Sequence, residues 1–175
     1  MNLKLKRTPG LFLVGFMASG KSTVGRKLAS ELGWHFSDLD SELEAEQCCT
    51  ITQIFTDQGE EAFRKLETEA LRRRIQRIRA GNPYVVALGG GAFVQPENWQ
   101  LLENSGITIW LDCPLDRVKQ RLGNDTMRPL AADRQALAAL LERRRPIYSR
   151  ADFRIEVDCD DVAEITSRIL RLPIF

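Results

Sequence analysis

Residues 15–22 read Gly-Phe-Met-Ala-Ser-Gly-Lys-Ser, and no other stretch limits the possible folds of this chain so tightly. The pattern is GxxxxGK[ST]. It follows a short apolar run, Leu11–Gly15, and precedes Lys21–Leu32, where Val24, Leu28 and Leu32 recur at helical spacing. A strand that turns through glycines into a helix points successive backbone N–H groups inward, and the helix adds its positive end, so the turn cradles phosphate. In such a loop Lys21 reaches the β- and γ-phosphates and the Ser22 hydroxyl ligates Mg²⁺. In a chain of 175 residues a chance match is on the order of 1 in 200. The stretch is read as a mononucleotide-binding loop.

The remaining pattern fits that start. Trp34–Asp38, Tyr84–Leu88, Ile107–Leu111 and, more weakly, Phe153–Val157 read as strands. Helical spacing fills the gaps over Glu60–Arg79, Pro96–Asn104, Leu115–Leu122, Arg134–Tyr148 and Val162–Leu172. Strands alternating with helices predict an α/β fold with a parallel sheet covered on both faces. Ligands of such sheets bind outside the carboxyl ends of the strands. The chemistry is therefore expected just after Val14, Phe36, Leu88 and Leu111.

Composition narrows the function classes. Hydrophobic residues are 43% and charged residues 28%, which excludes a disordered chain. Lys+Arg number 25 against 24 Asp+Glu, so no excess of positive charge argues for nucleic acid. The longest apolar stretch, Leu11 to Ala18, is far below the ~20 residues of a membrane span, and the N-terminal MNLKLKRTPG has no apolar signal region. Cys48, Cys49, Cys113 and Cys159 form no CxxC pair and His35 is the one histidine, so a zinc site is not expected. Four reduced thiols fit a cytoplasmic protein.

Four further stretches carry candidate chemistry. Phe36-Ser-Asp38-Leu-Asp40 places two carboxylates two residues apart, which on an extended segment point the same way. One can hold Mg²⁺ through water and the other can act as base toward an acceptor hydroxyl, while Asp40 also reads as a helix N-cap. In Gly59-Glu-Glu-Ala-Phe-Arg64-Lys-Leu-Glu67, Arg64 and Glu67 fall on one helix face and can pair. The arginines that follow, Arg72 to Arg79, read as a solvated face. Gly89-Gly90-Gly91 removes side chains where backbone could approach a ligand. Asn124-Asp-Thr-Met-Arg128-Pro-Leu130 is a polar connection with an arginine, and the next helix ends Glu142-Arg-Arg144-Arg-Pro-Ile-Tyr148.

The order GxxxxGKS, FxDxD, GExxFRxxE, GGG, RPL and ERRxPxY, from Leu11 to about Leu172, resembles the shikimate kinase family. These are small P-loop kinases of the nucleoside-monophosphate-kinase type. The resemblance implies a P-loop three-layer sandwich with a five-stranded parallel sheet, a single kinase domain over 1–175, a substrate-binding segment over about 41–67 and a lid over about 123–133. It implies transfer of the γ-phosphate of ATP to the 3-hydroxyl of shikimate, with Mg²⁺, in the pathway to chorismate and the aromatic amino acids. Ala18, Ser19, Gly20, Lys21, Ser22 and Thr23 would wrap the phosphates. Asp38 and Ser22 would hold the metal, and Asp40 would contact the 3-hydroxyl. Arg64 and Arg144 would grip the shikimate carboxylate, with Gly90 offering backbone contacts. Arg128 would close over the transferring phosphate, and Arg121 would pack near adenine. The expected catalytic set is Asp40, Lys21 and Arg128, in a cytoplasmic monomer that engages neither nucleic acid nor membrane.

Three stretches depart from the pattern. Alanine stands at 18 where many members have glycine, and Cys48-Cys49-Thr50 replaces a usual Gly-basic-Ser turn. Asp158–Asp161 lacks the basic residue that some members place near adenine. The rival readings are a sister kinase acting on another polyol acid such as gluconate, a nucleotide-binding regulatory module without turnover, and a nucleic-acid-binding protein using Arg72–Arg79.

Overall fold

Five parallel strands form the centre of the computed structural model, which describes residues 10–123 and 134–174. They are β1 (Gly10–Val14), β2 (His35–Asp38), β3 (Tyr84–Ala87), β4 (Ile107–Asp112) and β5 (Phe153–Glu156). Their order in space is β2-β3-β1-β4-β5. β1 lies between β3, with Leu11 opposite Val85, and β4, with Leu11 opposite Ile107. Every residue of β1 is buried, as a central strand covered on both faces requires.

Helices connect these strands: α1 (Lys21–Leu32), α2 (Leu39–Gln47), α3 (Ile51–Arg79), α4 (Pro96–Glu103), α5 (Leu115–Leu122), α6 (Arg134–Tyr148) and α7 (Val162–Leu170). α1 packs on α7, while α3, α4 and α6 meet a short 3₁₀ turn at Ala92–Val94. Leu28 of α1 and Leu71 of α3 are fully buried in the same core as Phe12 and Val86 of the sheet. Burial of such a side chain contributes roughly 1.5–3 kcal/mol.

The five expected strands are present to within a residue at each end, but two helices differ from expectation. α2 follows β2 without a loop, because the Asp38 side chain accepts from Ser41 N and starts a helix at once. α3 begins at Ile51 rather than Glu60, under a capping box in which Thr50 and Gln53 bond reciprocally. The expected start coincides with a break at Gly59, whose φ of 84° interrupts the helix just before Glu60. The expected lid over about 123–133 lies outside the described residues apart from Gly123, as does Arg128.

Candidate active site

The turn after β1 is shaped by backbone conformations that side chains rarely adopt. Gly15 and Gly20 have φ of 140° and 95°, and a Cβ on Gly15 would stand 2.6 Å from the Leu111 carbonyl oxygen. Ala18 has φ 57° and holds the left-handed conformation as an alanine. Ser19 is fully buried under the turn, whereas Thr23 is exposed on the first turn of α1. Lys21 folds back over the loop, donating to Phe16 O at 2.7 Å and Gly15 O at 3.0 Å. Ser22 Oγ donates to Asp38 Oδ2. This tie joins the start of α1 to the end of β2 and sets two hard oxygen donors side by side.

The two aspartates separate in role. Asp38 is the last residue of β2 and the N-cap of α2, whereas Asp40 lies in the first turn of α2. The expectation that both lie on an extended segment is corrected, and so is the cap assignment, which belongs to Asp38 and not Asp40. The helix starts two residues too early for strand periodicity to apply. Asp40 Oδ1 instead faces Gly89, where a Cβ would stand 2.6 Å from it.

The glycine triplet after β3 organises the acceptor side. A Cβ on Gly91 would lie 2.7 Å from both terminal nitrogens of Arg64, and one on Gly90 would lie 3.8 Å from Arg144 Nη1. Arg144 Nη1 donates to Gly90 O at 3.2 Å, and the Tyr148 hydroxyl donates to the same oxygen. The fold thus brings Arg64 of α3 and Arg144 of α6 to adjacent glycines. The close neighbours of Gly89 and Gly91 are side chains of the protein itself, which adds a reason for glycine to the close ligand approach expected there.

Arg64 is held by Glu67 Oε2 at 2.9 Å and Glu60 Oε1 at 3.1 Å. Its guanidinium also lies 5.1 Å from the Phe63 ring centroid and 5.9 Å from that of Phe55. Glu67 is 1% exposed, and burial pushes its carboxyl up to about 7 against the pull of Arg64; the charge of Asp40 adds to the rise and that of Arg144 opposes it. Tyr148, also fully buried, is pushed up to about 12 by burial and stays a hydroxyl donor. Tyr148 closes the ERRxPxY pattern, but no spacing along the chain points to its contact with Gly90, 58 residues away.

On the nucleotide side, Arg121 of α5 donates to Ala18 O at 2.9 Å and pairs with Asp160 at 2.7 Å. Asp160 also pairs with Arg117 at 3.0 Å, so Arg117 and Arg121 tie down the acidic Asp158–Asp161 loop, and Arg121 joins it to the phosphate turn. Of the later α3 arginines, Arg72 pairs with Glu97 and Arg73 with Glu46 on an exposed face, as expected, whereas Arg74 departs from that expectation: it is half-buried, pairs with Glu42 and lies 4.5 Å from the Tyr84 ring centroid.

A parallel sheet with a GxxxxGKS turn at its central strand defines a P-loop kinase of the nucleoside-monophosphate-kinase type, and here two arginines stand beside the carboxylates that follow the turn. The shikimate kinase family model matches residues 17–172. A shikimate kinase of Persephonella marina is 42% identical over 161 residues, covering 91% of this chain and 96% of the relative. One from Synechococcus sp. (strain CC9605) is 45% identical over 173 residues, covering 95% and 84%. The solved shikimate kinase of Acinetobacter baumannii in complex with shikimate superposes with a TM-score of 0.88 at 38% identity, covering 95% and 93%. The chain belongs to the shikimate kinase family.

Proposed function

We propose that this chain transfers the γ-phosphate of ATP to the 3-hydroxyl of shikimate. The observation that carries the reading is the convergence of Arg64 and Arg144 on Gly90 and Gly91, beside Asp40 and one loop away from Lys21. Two guanidinium forks at one place suit a carboxylate, which each can grip through paired N–H donors. The family membership and the shikimate-bound relative support the same acceptor.

In this reading the backbone from Ala18 to Thr23 receives the ATP phosphates, and Lys21 leaves its loop carbonyls to place its charge on the β- and γ-oxygens. Asp40 accepts the proton of the acceptor hydroxyl as that oxygen attacks phosphorus. Arg64, Arg144 and the Gly90 backbone hold the acceptor in line. Tyr148 fixes the Gly90 carbonyl. Arg121 borders the adenine, and Arg128 closes with the lid to exclude water. Ser22 and Asp38 fit Mg²⁺, since adjacent hard oxygens together with water and phosphate are its usual donor set. Bound there, the ion neutralises charge developing on the phosphates. The protein is read as a single kinase domain, a cytoplasmic monomer with small-molecule substrates; no helix among the described residues is long and apolar enough to cross a membrane.

ADP release measured with shikimate, with gluconate and with no acceptor tests the reading. Turnover only with shikimate is expected. Turnover with gluconate alone would replace the acceptor, and none with either would leave a nucleotide-binding module.

A further inference from the structure

Glu67 stands one helical turn beyond Arg64 on α3, with Oε2 taken by the guanidinium at 2.9 Å. Its other oxygen, Oε1, is buried and has no hydrogen-bond partner among the described residues. Oε1 faces the Gly89 backbone, where a Cβ would lie 2.8 Å from it, and Asp40 Oδ1 faces the same point at 2.6 Å. Two carboxylates from α2 and α3 therefore meet over one glycine, inside the acceptor site. The charged groups around Glu67 are Arg64 on its own helix, Asp40 from α2 and Arg144 from α6, with Glu60 sharing the Arg64 guanidinium.

An unpaired, buried carboxylate oxygen is costly when ionised and is satisfied when it carries a proton that it can donate. Here the positive charges that favour ionisation are Arg64 and Arg144. They are also the two that the acceptor's carboxylate would occupy. An arriving anion draws on the same cations and adds a negative charge nearby, so it raises the affinity of Glu67 for a proton. Linkage requires the converse: a proton on Glu67 raises the affinity for the anion by the same factor.

Resting on the substrate reading above, we propose that Glu67 couples acceptor binding to a proton: shikimate enters as an anion and Glu67 Oε1 takes up a proton with it. The O–H bond forms with a proton released by a buffer acid or hydronium ion, and no electrons change hands. The protonated Oε1 then donates toward the Asp40 carboxylate, which faces the same glycine. Arg64, relieved of an ionised partner, turns its donors to the acceptor. Glu67 acts as a positioning residue, through Arg64 and Asp40.

Calorimetric titration of shikimate into the nucleotide-free protein tests this, run at one pH in Hepes and in Tris, whose ionisation heats differ. Free and bound forms that titrate about one unit apart give uptake of roughly half a proton near pH 7.5, and binding about 3- to 10-fold weaker at pH 8.5 than at pH 6.5. Glu67→Gln, which keeps the shape of the neutral form, should bind with equal heats in the two buffers and a flat pH profile. His35 opens β2 at the opposite end of the strand from Asp38, so any contribution from it would persist in the variant. Equal heats for the wild-type protein overturn the coupling, whether or not the variant folds. Uptake that survives in Glu67→Gln overturns its assignment to Glu67. No binding of shikimate at any pH overturns the substrate reading, and the coupling with it.

Discussion

Gly91 and Arg64 touch at a separation that only glycine permits. A Cβ at position 91 would stand 2.7 Å from both terminal nitrogens of the guanidinium, although the Gly91 backbone, at φ −100°, would accept any residue. The demand for glycine is thus a demand of the Arg64 side chain. Gly91→Ala should push the guanidinium from its position between Glu60 and Glu67 while leaving the fold intact. The expected outcome is a rise of about 10-fold or more in KM for shikimate, from a loss of roughly 1.4 kcal/mol or more. The melting temperature and ATP affinity should change little. A melting temperature lowered by many degrees would show that position 91 serves packing instead.

Arg64→Ala and Arg144→Ala should each lower kcat/KM for shikimate by roughly 30- to 10³-fold, the effect of leaving a charged hydrogen bond unmade at ~2–4 kcal/mol. ATP affinity should be nearly unchanged. The combined variant should lose less than the two effects added, because both side chains act on one anion. Steady-state kinetics with shikimate as the varied substrate decides this; two variants with normal kcat/KM would exclude a carboxylate held at this place.

The roles of Asp38 and Asp40 separate experimentally because only one of them caps α2. Asp38→Ala removes the acceptor of Ser41 N and of the Ser22 hydroxyl, and should cost about 1 kcal/mol of stability. It should also raise the Mg²⁺ concentration needed for half-maximal rate. Asp40→Asn leaves the cap in place, so it should retain the melting temperature and ATP binding while losing turnover. Thermal melts and Mg²⁺ titrations of the two variants distinguish these outcomes, and an Asp40→Asn enzyme with near-normal kcat would remove the base.

Among the described residues, two that are not glycine hold a positive φ: Ala18 at 57° and Cys48 at 52°. Cys48 ends α2 as its left-handed cap, a place that glycine fills at no steric cost. The left-handed conformation costs an L-residue about 1–2 kcal/mol, partly offset by the greater freedom of glycine in the unfolded chain. Ala18→Gly and Cys48→Gly should therefore each raise stability by about 0.5–1 kcal/mol, or roughly 1–4 °C for a protein of this size. Differential scanning calorimetry measures it, and a fall in either melting temperature would show that the side chain packs better than its backbone is strained.

The sequence by itself determined the sheet and the phosphate turn. Five short apolar runs, each ended by glycine or a polar residue and alternating with stretches of helical spacing, pointed to parallel strands between helices. GxxxxGKS after the first run allowed one local geometry. Arg64 with Glu67 was equally legible, because three residues along a helix is a contact set by helical pitch alone. What the sequence misplaced was local but decided by competition: Asp38 caps a helix at once, so Asp40 leaves the strand register that spacing suggested. What it could not contain was the meeting of elements far apart in the chain. Arg144 and Tyr148 reach Gly90 across more than 50 residues. Asp40 meets Glu67 over Gly89, and Arg121 reaches Ala18 from α5. Those contacts follow from strand order and helix packing, which set distances that no periodicity along one segment encodes. The elevated carboxyl of Glu67 is the plainest case, since burial and a second carboxylate exist only once α2, α3 and the glycine turn have closed on one another.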